Sequence, residues 1–292
     1  MISVVILTKN EEHDISGCLQ SVSFCDDVHV YDSYSTDRTV EVARGMGAHV
    51  HQRPFDSYAA QRNAALDTIA FKHRWVFILD CDERLNPVVW AEAVEATTGA
   101  PDEVHAFRIR RDDHFLGHHL RHAQMMALYT RLVKVGHVRY TRDINEFLVV
   151  DGETRQLRNR FDHWSFSKGL DRWFDKHNLY STMEAKIVAE RSFMSDADLR
   201  TALFHKDFHT RRRAQKAIFY MLPGRPLLRW VYLMFARGGV LDGKAGVVYA
   251  TLQAMYEWQI VLKTRELLAS GQLAAERTGD LLRGDLAPGA RA

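Results

Sequence analysis

The sequence predicts an α/β protein: a mostly parallel central sheet flanked by helices, followed by a helical C-terminal extension. Three observations carry this. Through the first hundred residues, short β-branched apolar runs alternate with helix-period segments of about ten residues, the pattern of strand–helix–strand units. Polar clusters sit at the C-terminal ends of those runs, where open α/β sheets hold their ligands. From Lys168 onward the pattern turns helical.

The elements follow in order. "ISVVILT" (2–8) reads as a buried strand and "EEHDISGCLQSV" (11–22) carries apolar residues at helical spacing. "DVHVYD" (27–32) is strand-like. "STDRTVEVARGMG" (35–47) opens on Ser and Thr as N-cap candidates and closes on Gly45 and Gly47, which marks both ends of a helix. "AHVHQ" (48–52) is a short strand, "SYAAQRNAALDTIA" (57–70) a helix and "WVFILD" (75–80) a strand. The stretch 104–165 is β-like. "SKGLDRWFDKHNLYSTMEAKIVAER" (167–191) reads as one long amphipathic helix, and two further helical stretches follow Pro223 and Pro226. The tail beyond Gly271 is rich in Ala, Gly and Arg and is expected to fray.

Bulk properties narrow the function. With 292 residues, 46% of them hydrophobic, the chain can bury a sizeable core in one or two domains. A formal charge of +2 is no polycation, so nucleic-acid binding is not expected. The charge is uneven, however. Residues 200–270 hold twelve Lys and Arg against four Asp and Glu, which leaves the remainder net acidic. That basic, aromatic-rich part suggests an anionic partner for itself alone. Cys18, Cys25 and Cys81 form no CxxC or His/Cys spacing, which argues for a reducing compartment. No signal peptide and no apolar run of about 18 residues are expected.

"FILDCDER" (77–84) raises the chemical question. A buried strand runs straight into two aspartates separated by one residue. Side chains at i and i+2 of a strand share a face, so the two carboxylates can enter one crevice. Like charges there are costly unless solvent or a cation offsets them. An acidic surface turn and a divalent-cation site both satisfy that requirement. Neither GxGxxG nor GxxxxGK[ST] is present, so a dinucleotide site and a P-loop lack their glycines.

"SVVILTKNEE", "YDSYSTDRTVEVA", "YAAQRNAAL" and "FILDCDERL", in this order and spacing, resemble the family 2 GT-A glycosyltransferases. "INEFLVVDG", "DHWSFSKGLDRWFDKHNLYS" and "GGVLDGKAGVVYATLQAMYEW" resemble its subgroup of bacterial lipopolysaccharide-core β-1,4-glucosyltransferases. The resemblance covers about residues 2–262. It implies a GT-A fold and an inverting transfer from a UDP-sugar, with glucose the expected sugar, to a lipid-linked saccharide. It divides the chain into a catalytic domain (1–195, with a nucleotide-sugar half 1–103 and an acceptor half 104–195) and a C-terminal amphipathic region (196–292).

The resemblance also assigns residues. It places Thr8, Asn10 and Glu11 at the nucleotide, Asp32 near the uracil, and Gln61, Arg62 and Asn63 as helix-borne nucleotide contacts. Capping is the alternative for Asp32 and for Asp37. Asp80 and Asp82 match the DxD motif, Asp80 at the ribose or supporting the metal, Asp82 binding Mg²⁺ or Mn²⁺ directly. His163 is a further candidate for the metal or diphosphate, with simple packing beside Trp164 as the alternative. Glu83 and Arg84 are expected to orient the turn. Glu146 is expected to be the general base, with Asp143 its competitor. Lys176 and Asn178 face phosphate or acceptor, with a solvated helix face as the alternative, and the His cluster "HFLGHH" reads as acceptor-side loop or surface.

The C-terminal helices mix Arg and Lys with Trp, Tyr, Phe and Leu, the composition of a segment lying on a membrane surface. The expected location is the inner face of the cytoplasmic membrane. Packing on the catalytic domain or on another subunit is the alternative, which allows an oligomer. A polyprenyl-linked acceptor for capsule or exopolysaccharide, and a non-catalytic nucleotide-sugar-binding scaffold, are the competing functions. A nucleotidyltransferase is disfavoured because "TKNEEHD" has no glycine. Two departures stand out: Tyr34 replaces a small residue of the family's "DSGSTD", and Cys81 stands inside the DxD.

Overall fold

The computed structural model describes residues 1–124, 128–141, 147–206 and 208–271, and the chain divides into two units, Met1–Lys168 and Gly169–Ala292.

The first unit is α/β. It contains β1 (Ile2–Thr8), α1 (Ile15–Ser21), β2 (Val28–Asp32), α2 (Thr39–Gly45), β3 (His49–Gln52), α3 (Tyr58–Thr68) and β4 (Trp75–Asp80). Next come β5 (Glu83–Arg84), α4 (Pro87–Thr98), β6 (Val104–Phe115), β7 (His118–His119), β8 (Leu128–Lys134), β9 (Val138–Thr141), β10 (Phe147–Val150) and β11 (Glu153–His163). The main sheet runs β3-β2-β1-β4-β8-β6-β11-β5, with β7 on β6, and β9 pairs β10 separately. The β3-β2-β1-β4 half is wholly parallel, and β11 is parallel to β6; β8 and β5 run antiparallel to their neighbours.

The period-two rule divides the core. Ile2, Val4 and Ile6 of β1 join Trp75, Phe77 and Leu79 of β4 on one face, against Ile15 and Cys18 of α1, Ala43 of α2 and Val89 and Ala93 of α4. Val5, Val76 and Ile78 turn to the other face, against Ala59, Ala65 and Leu66 of α3. Both faces are covered, so the strands are apolar throughout and not alternating. Each large aliphatic or aromatic side chain so buried contributes about 1.5–3 kcal/mol.

Register brings the polar strand ends together. Thr8 of β1 lies opposite Asp32 of β2, and Leu7 lies opposite Asp80 of β4. Capping fixes the helices that follow. The Ser57 side chain accepts from Ala60 N at the start of α3, and Asn86 accepts from Val89 N at the start of α4. Helix α2 begins later than its sequence signals suggest. Ser35 directs its amide and hydroxyl to Asp32 at 2.8 and 2.5 Å, while the Asp37 carboxylate accepts from Thr39 N at 3.0 Å. Local side-chain bonds outcompete the helix over residues 35–38.

The second unit is helical: α5 (Gly169–Ala189), α6 (Leu199–Phe204), α7 (Phe208–Met221), α8 (Arg225–Val231), a π-helical turn at Tyr232–Ala236, and α9 (Gly243–Ser270). Lys263 Nζ of α9 lies within hydrogen-bond distance of Asn178 O and Oδ1, at 2.6 and 2.7 Å, and of the Ser181 and Thr182 hydroxyls of α5, at 2.8 Å each, and its three N–H groups are shared among them. The Asn178 side chain therefore braces two helices. Leu233, Met234 and Ala250 bury a small core with Trp230. Gly246 is needed there, because a Cβ would sit 2.0 Å from Gly239 O. No helix of the described residues is long and apolar enough to cross a membrane.

Candidate active site

Two loops, following β1 and β2, are stitched to each other. Asp32 is fully buried and accepts from Thr8 Oγ1 at 2.9 Å, Ser35 N at 2.8 Å, Ser35 Oγ at 2.5 Å and Gln52 Nε2 at 3.2 Å. Asn10 Oδ1 accepts from Thr36 N at 2.8 Å, and Asn10 N donates to Ser35 Oγ at 2.8 Å. Asp37 accepts from Glu12 N as well as from Thr39, so its carboxylate joins the two loops. Tyr34, in the loop after β2, has φ +54 and is 52% exposed. That left-handed backbone suits glycine, which explains why a small residue is expected at the position.

The helix-borne residues split. Gln61 is buried, donates to Ser33 Oγ at 3.0 Å and accepts from Arg53 Nη1 at 3.1 Å. Arg62 Nη2 donates to Asp80 Oδ1 at 2.8 Å. Asn63 points elsewhere: its side-chain amide grips both backbone groups of Tyr140, at 2.8 and 2.9 Å, and holds α3 to β9.

The two aspartates of the DxD are unlike. Asp80 gives one oxygen to Arg62 and the other to Arg131 Nη2 at 2.6 Å. Burial pushes its pKa up, but the two guanidiniums outweigh that and hold it well below the usual carboxylate range. The charge that the sequence assigned to a cation is thus offset at Asp80 by two arginines. Asp82 is 32% exposed, and among the described residues its carboxylate meets only His163, with Oδ2 at 3.3 Å from Nε2. Burial raises its pKa and the His163 hydrogen bond lowers it, with a net fall.

His163 lies between two carboxylates. Its Nδ1 is 2.5 Å from Asp113 Oδ1, and Arg111 Nε pairs Asp113 at 3.1 Å. Burial alone would lower its pKa, but the bonds to Asp113 and Asp82 raise it from 6.5 to about 9, so the ring is an imidazolium at neutral pH. Its register opposite Glu83 and Asp113 fixes its place.

The turn is braced from behind. Glu83 is fully buried; its Oε2 accepts from Asp80 N at 2.9 Å and its other oxygen meets Arg131. Burial, only partly countered by Arg131, lifts its pKa from 4.5 to about 7. Arg84 donates to Cys81 O at 2.6 Å and Asp14 O at 2.9 Å, and it packs so closely on α1 that a Cβ at Gly17 would lie 2.8 Å from Arg84 Nε. Asp82 O accepts from Trp164 N at 2.8 Å, which ties the turn to the end of β11. Cys81 is buried in the core.

Glu11 is held by Lys168, whose Nζ donates to Glu11 Oε1 at 2.5 Å and Asn10 O at 3.0 Å. Burial lifts the Glu11 pKa to about 7; Lys168 opposes this, and the Asp82 charge adds to it. Glu146 and Asp143 lie outside the described residues. Arg131, Asp113 and Lys168 are absent from the sequence assignment. Arg131 carries one visible signal, a charged residue inside an apolar strand run, "LYTRLVKV".

The family model described as Glycosyl transferase family 2 matches residues 3–164. The chain belongs to glycosyl transferase family 2. As a member it is a glycosyltransferase, with the mixed, mostly parallel GT-A sheet described above. The lipopolysaccharide core biosynthesis glycosyltransferase LpsC of Rhizobium meliloti (strain 1021) is 24% identical over 273 residues, covering 88% of this chain and 92% of that one. An uncharacterized glycosyltransferase of Rickettsia typhi is 24% identical over 293 residues, covering 92% and 90%. Among solved structures, glucosyl-3-phosphoglycerate synthase from Mycobacterium tuberculosis, in complex with Mn²⁺ and UDP-glucose, is 23% identical with a TM-score of 0.32. That match spans 40% of this chain and 44% of the synthase.

The donor set for a cation in this family 2 enzyme is sparse. Among the described residues no group of three or more His, Cys, Asp and Glu could hold a metal. Among the described residues, one Asp82 carboxylate oxygen makes no hydrogen bond or ion pair, with His163 beside it. A set of that kind suits Mg²⁺ or Mn²⁺, hard ions that keep water and phosphate oxygens in their shell and need only one or two protein carboxylates.

Proposed function

We propose that the enzyme transfers a sugar, with glucose the first choice, from a UDP-sugar to a lipid-linked saccharide in lipopolysaccharide core or a related surface glycan, inverting the anomeric carbon. The observation that carries this reading is the asymmetry of the DxD. Asp80 is locked by Arg62 and Arg131, which leaves the partly exposed Asp82 as the carboxylate free to meet a ligand. The lipopolysaccharide-core name of the Rhizobium relative supports the acceptor class.

In this reading Asp82 holds Mg²⁺ or Mn²⁺, with His163 able to join only after losing its proton. When bound, the cation would neutralise charge developing on the leaving diphosphate. Thr8, Asn10, Glu11 and Gln61 shape the nucleotide side, and Asp32 acts through Thr8 and Ser35 by fixing both loops. Arg62, held by Asp80, keeps a positive charge at the strand ends. Glu146 takes the proton of the acceptor hydroxyl. The enzyme works on the inner face of the cytoplasmic membrane, with the second unit towards the lipid.

Calorimetric titration with UDP, UDP-glucose, UDP-galactose, UDP-GlcNAc and GDP-mannose, each with Mn²⁺, Mg²⁺ or EDTA, tests the donor half. Metal-dependent binding of UDP with one preferred UDP-sugar is expected. Binding of none of them to folded protein removes the UDP-sugar assignment.

A further inference from the structure

Outside the catalytic unit, a cavity of about 270 Å³ in the helical unit is lined by Tyr220, Leu222 and Arg225 on one side and by Trp258 and Arg265 of α9 on the other. Arg225 is 5% exposed, and its Nη1 has no hydrogen-bond partner among the described residues. Its guanidinium lies 5.1 Å from the centre of the Tyr220 ring. A buried guanidinium with an unmade hydrogen bond is costly unless something in the cavity completes it. A nearby carboxylate is Glu257, itself buried with an Oε2 that has no partner among the described residues. Burial pushes its pKa up while Arg225 and Arg229 pull it down, with a net rise.

Arg265 lines the same space, so two arginines border it. Their planar forks match the oxygens of a phosphate. The volume falls just below the range of about 300–1,000 Å³ usual for whole small ligands, which suits a head group better than a sugar nucleotide. Two further lining residues are apolar and yet exposed to solvent, Leu222 at 43% and Trp258 at 50%. A free anion gains nothing from them, whereas a hydrocarbon chain attached to the phosphate does.

We propose that this cavity binds the phosphate group of a lipid, with Arg225 and Arg265 donating to its oxygens and Leu222 and Trp258 packing on its chain. The proposal rests on the reading of the second unit as lipid-facing and gives it specific residues.

The test is co-sedimentation of the full chain with phosphatidylcholine vesicles, with and without phosphatidic acid, and calorimetry with inorganic phosphate. Wild type is expected to favour the phosphatidic acid vesicles. Arg265→Gln, at an exposed position, and Arg225→Gln should each weaken that binding about tenfold. Lys244→Gln, which removes one charge from α9 outside the cavity, should leave it unchanged, and UDP affinity should be the same in every variant. Equal losses in Arg265→Gln and Lys244→Gln overturn the site, because surface charge alone then explains the binding. Equal binding to both vesicle types overturns the site while leaving membrane association standing. Binding of inorganic phosphate that Arg265→Gln abolishes, without vesicle binding, overturns the lipid source. UDP binding decides the donor assignment separately.

Discussion

Arg131 Nη2 lies 2.6 Å from Asp80 Oδ2 and meets the buried Glu83 carboxylate with the same nitrogen. Arg62 holds the other Asp80 oxygen at 2.8 Å. A charge lattice of two arginines and two carboxylates therefore stands behind the strand end, and a second chain, Asp82–His163–Asp113–Arg111, stands beside it. The two carboxylates of "DCD" are tolerated for different reasons: Asp80 because guanidiniums surround it, Asp82 because it remains partly open with an imidazolium at its side.

Removing Arg131 should be severe. Arg131→Met leaves Asp80 and the fully buried Glu83 without their common partner. Breaking a buried pair from one side costs about 3–5 kcal/mol. Urea unfolding should show a loss of that size, with Arg131→Lys intermediate because an ammonium lacks the guanidinium fork. An unchanged midpoint for Arg131→Met would show that the lattice contributes nothing.

Asp80 and Asp82 should separate by experiment. Asp80→Asn weakens charge-assisted bonds to two arginines, each worth about 1.5–3 kcal/mol, so the melting temperature falls. Asp82→Asn touches one side-chain contact, at 3.3 Å, so the protein stays folded while metal-dependent UDP binding is lost. Retained metal-dependent binding in Asp82→Asn, by calorimetry, would overturn Asp82 as the ligand.

The strand ends were legible and the lattice was not. Apolar runs ending in Thr8, Asp32 and Asp80 announced a parallel sheet with a crevice at its carboxyl edge, and register joins them as expected. Helix α4 escaped the pattern reading although Asn86, Pro87 and Gly99 mark its ends. Arg131 sits 51 residues from Asp80, and no local period reports such a pairing. Asn63 follows Arg62 on the same helix yet serves Tyr140, because adjacent helical positions diverge by roughly 100° and only the tertiary neighbour decides their use.

His163 should impose a pH dependence on the metal-free protein. Its folded pKa of about 9 stands above the ordinary 6.5. The stability it adds is fully present below pH 6.5 and is lost as pH rises through about 9. In EDTA the urea midpoint of wild type should fall across that window, and His163→Gln should remove that part of the fall. Glu11 and Glu83, raised from 4.5 to about 7, lose their stabilising contribution as pH rises to about 7; Glu11 does so in both proteins, whereas the His163 charge itself holds the Glu83 pKa down. The difference between the two curves therefore reports the histidine charge together with its pull on Glu83. A flat difference from pH 6.5 to 9 sinks the imidazolium assignment.

The base assignment separates binding from chemistry. Glu146 is proposed to remove the acceptor proton, with Asp143 as its competitor. Glu146→Gln keeps nearly the same size and polarity but cannot accept that proton, so UDP-sugar affinity should hold while kcat falls by about 10²–10⁴. Asp143→Asn should leave transfer much closer to wild type. The comparison needs the acceptor present, since slow hydrolysis of the donor by water does not depend on the same proton. If Glu146→Gln transfers at the wild-type rate and Asp143→Asn does not, the two residues exchange roles. If both variants lose donor affinity together with transfer, the two acids support the nucleotide pocket, and the base lies elsewhere on the acceptor side.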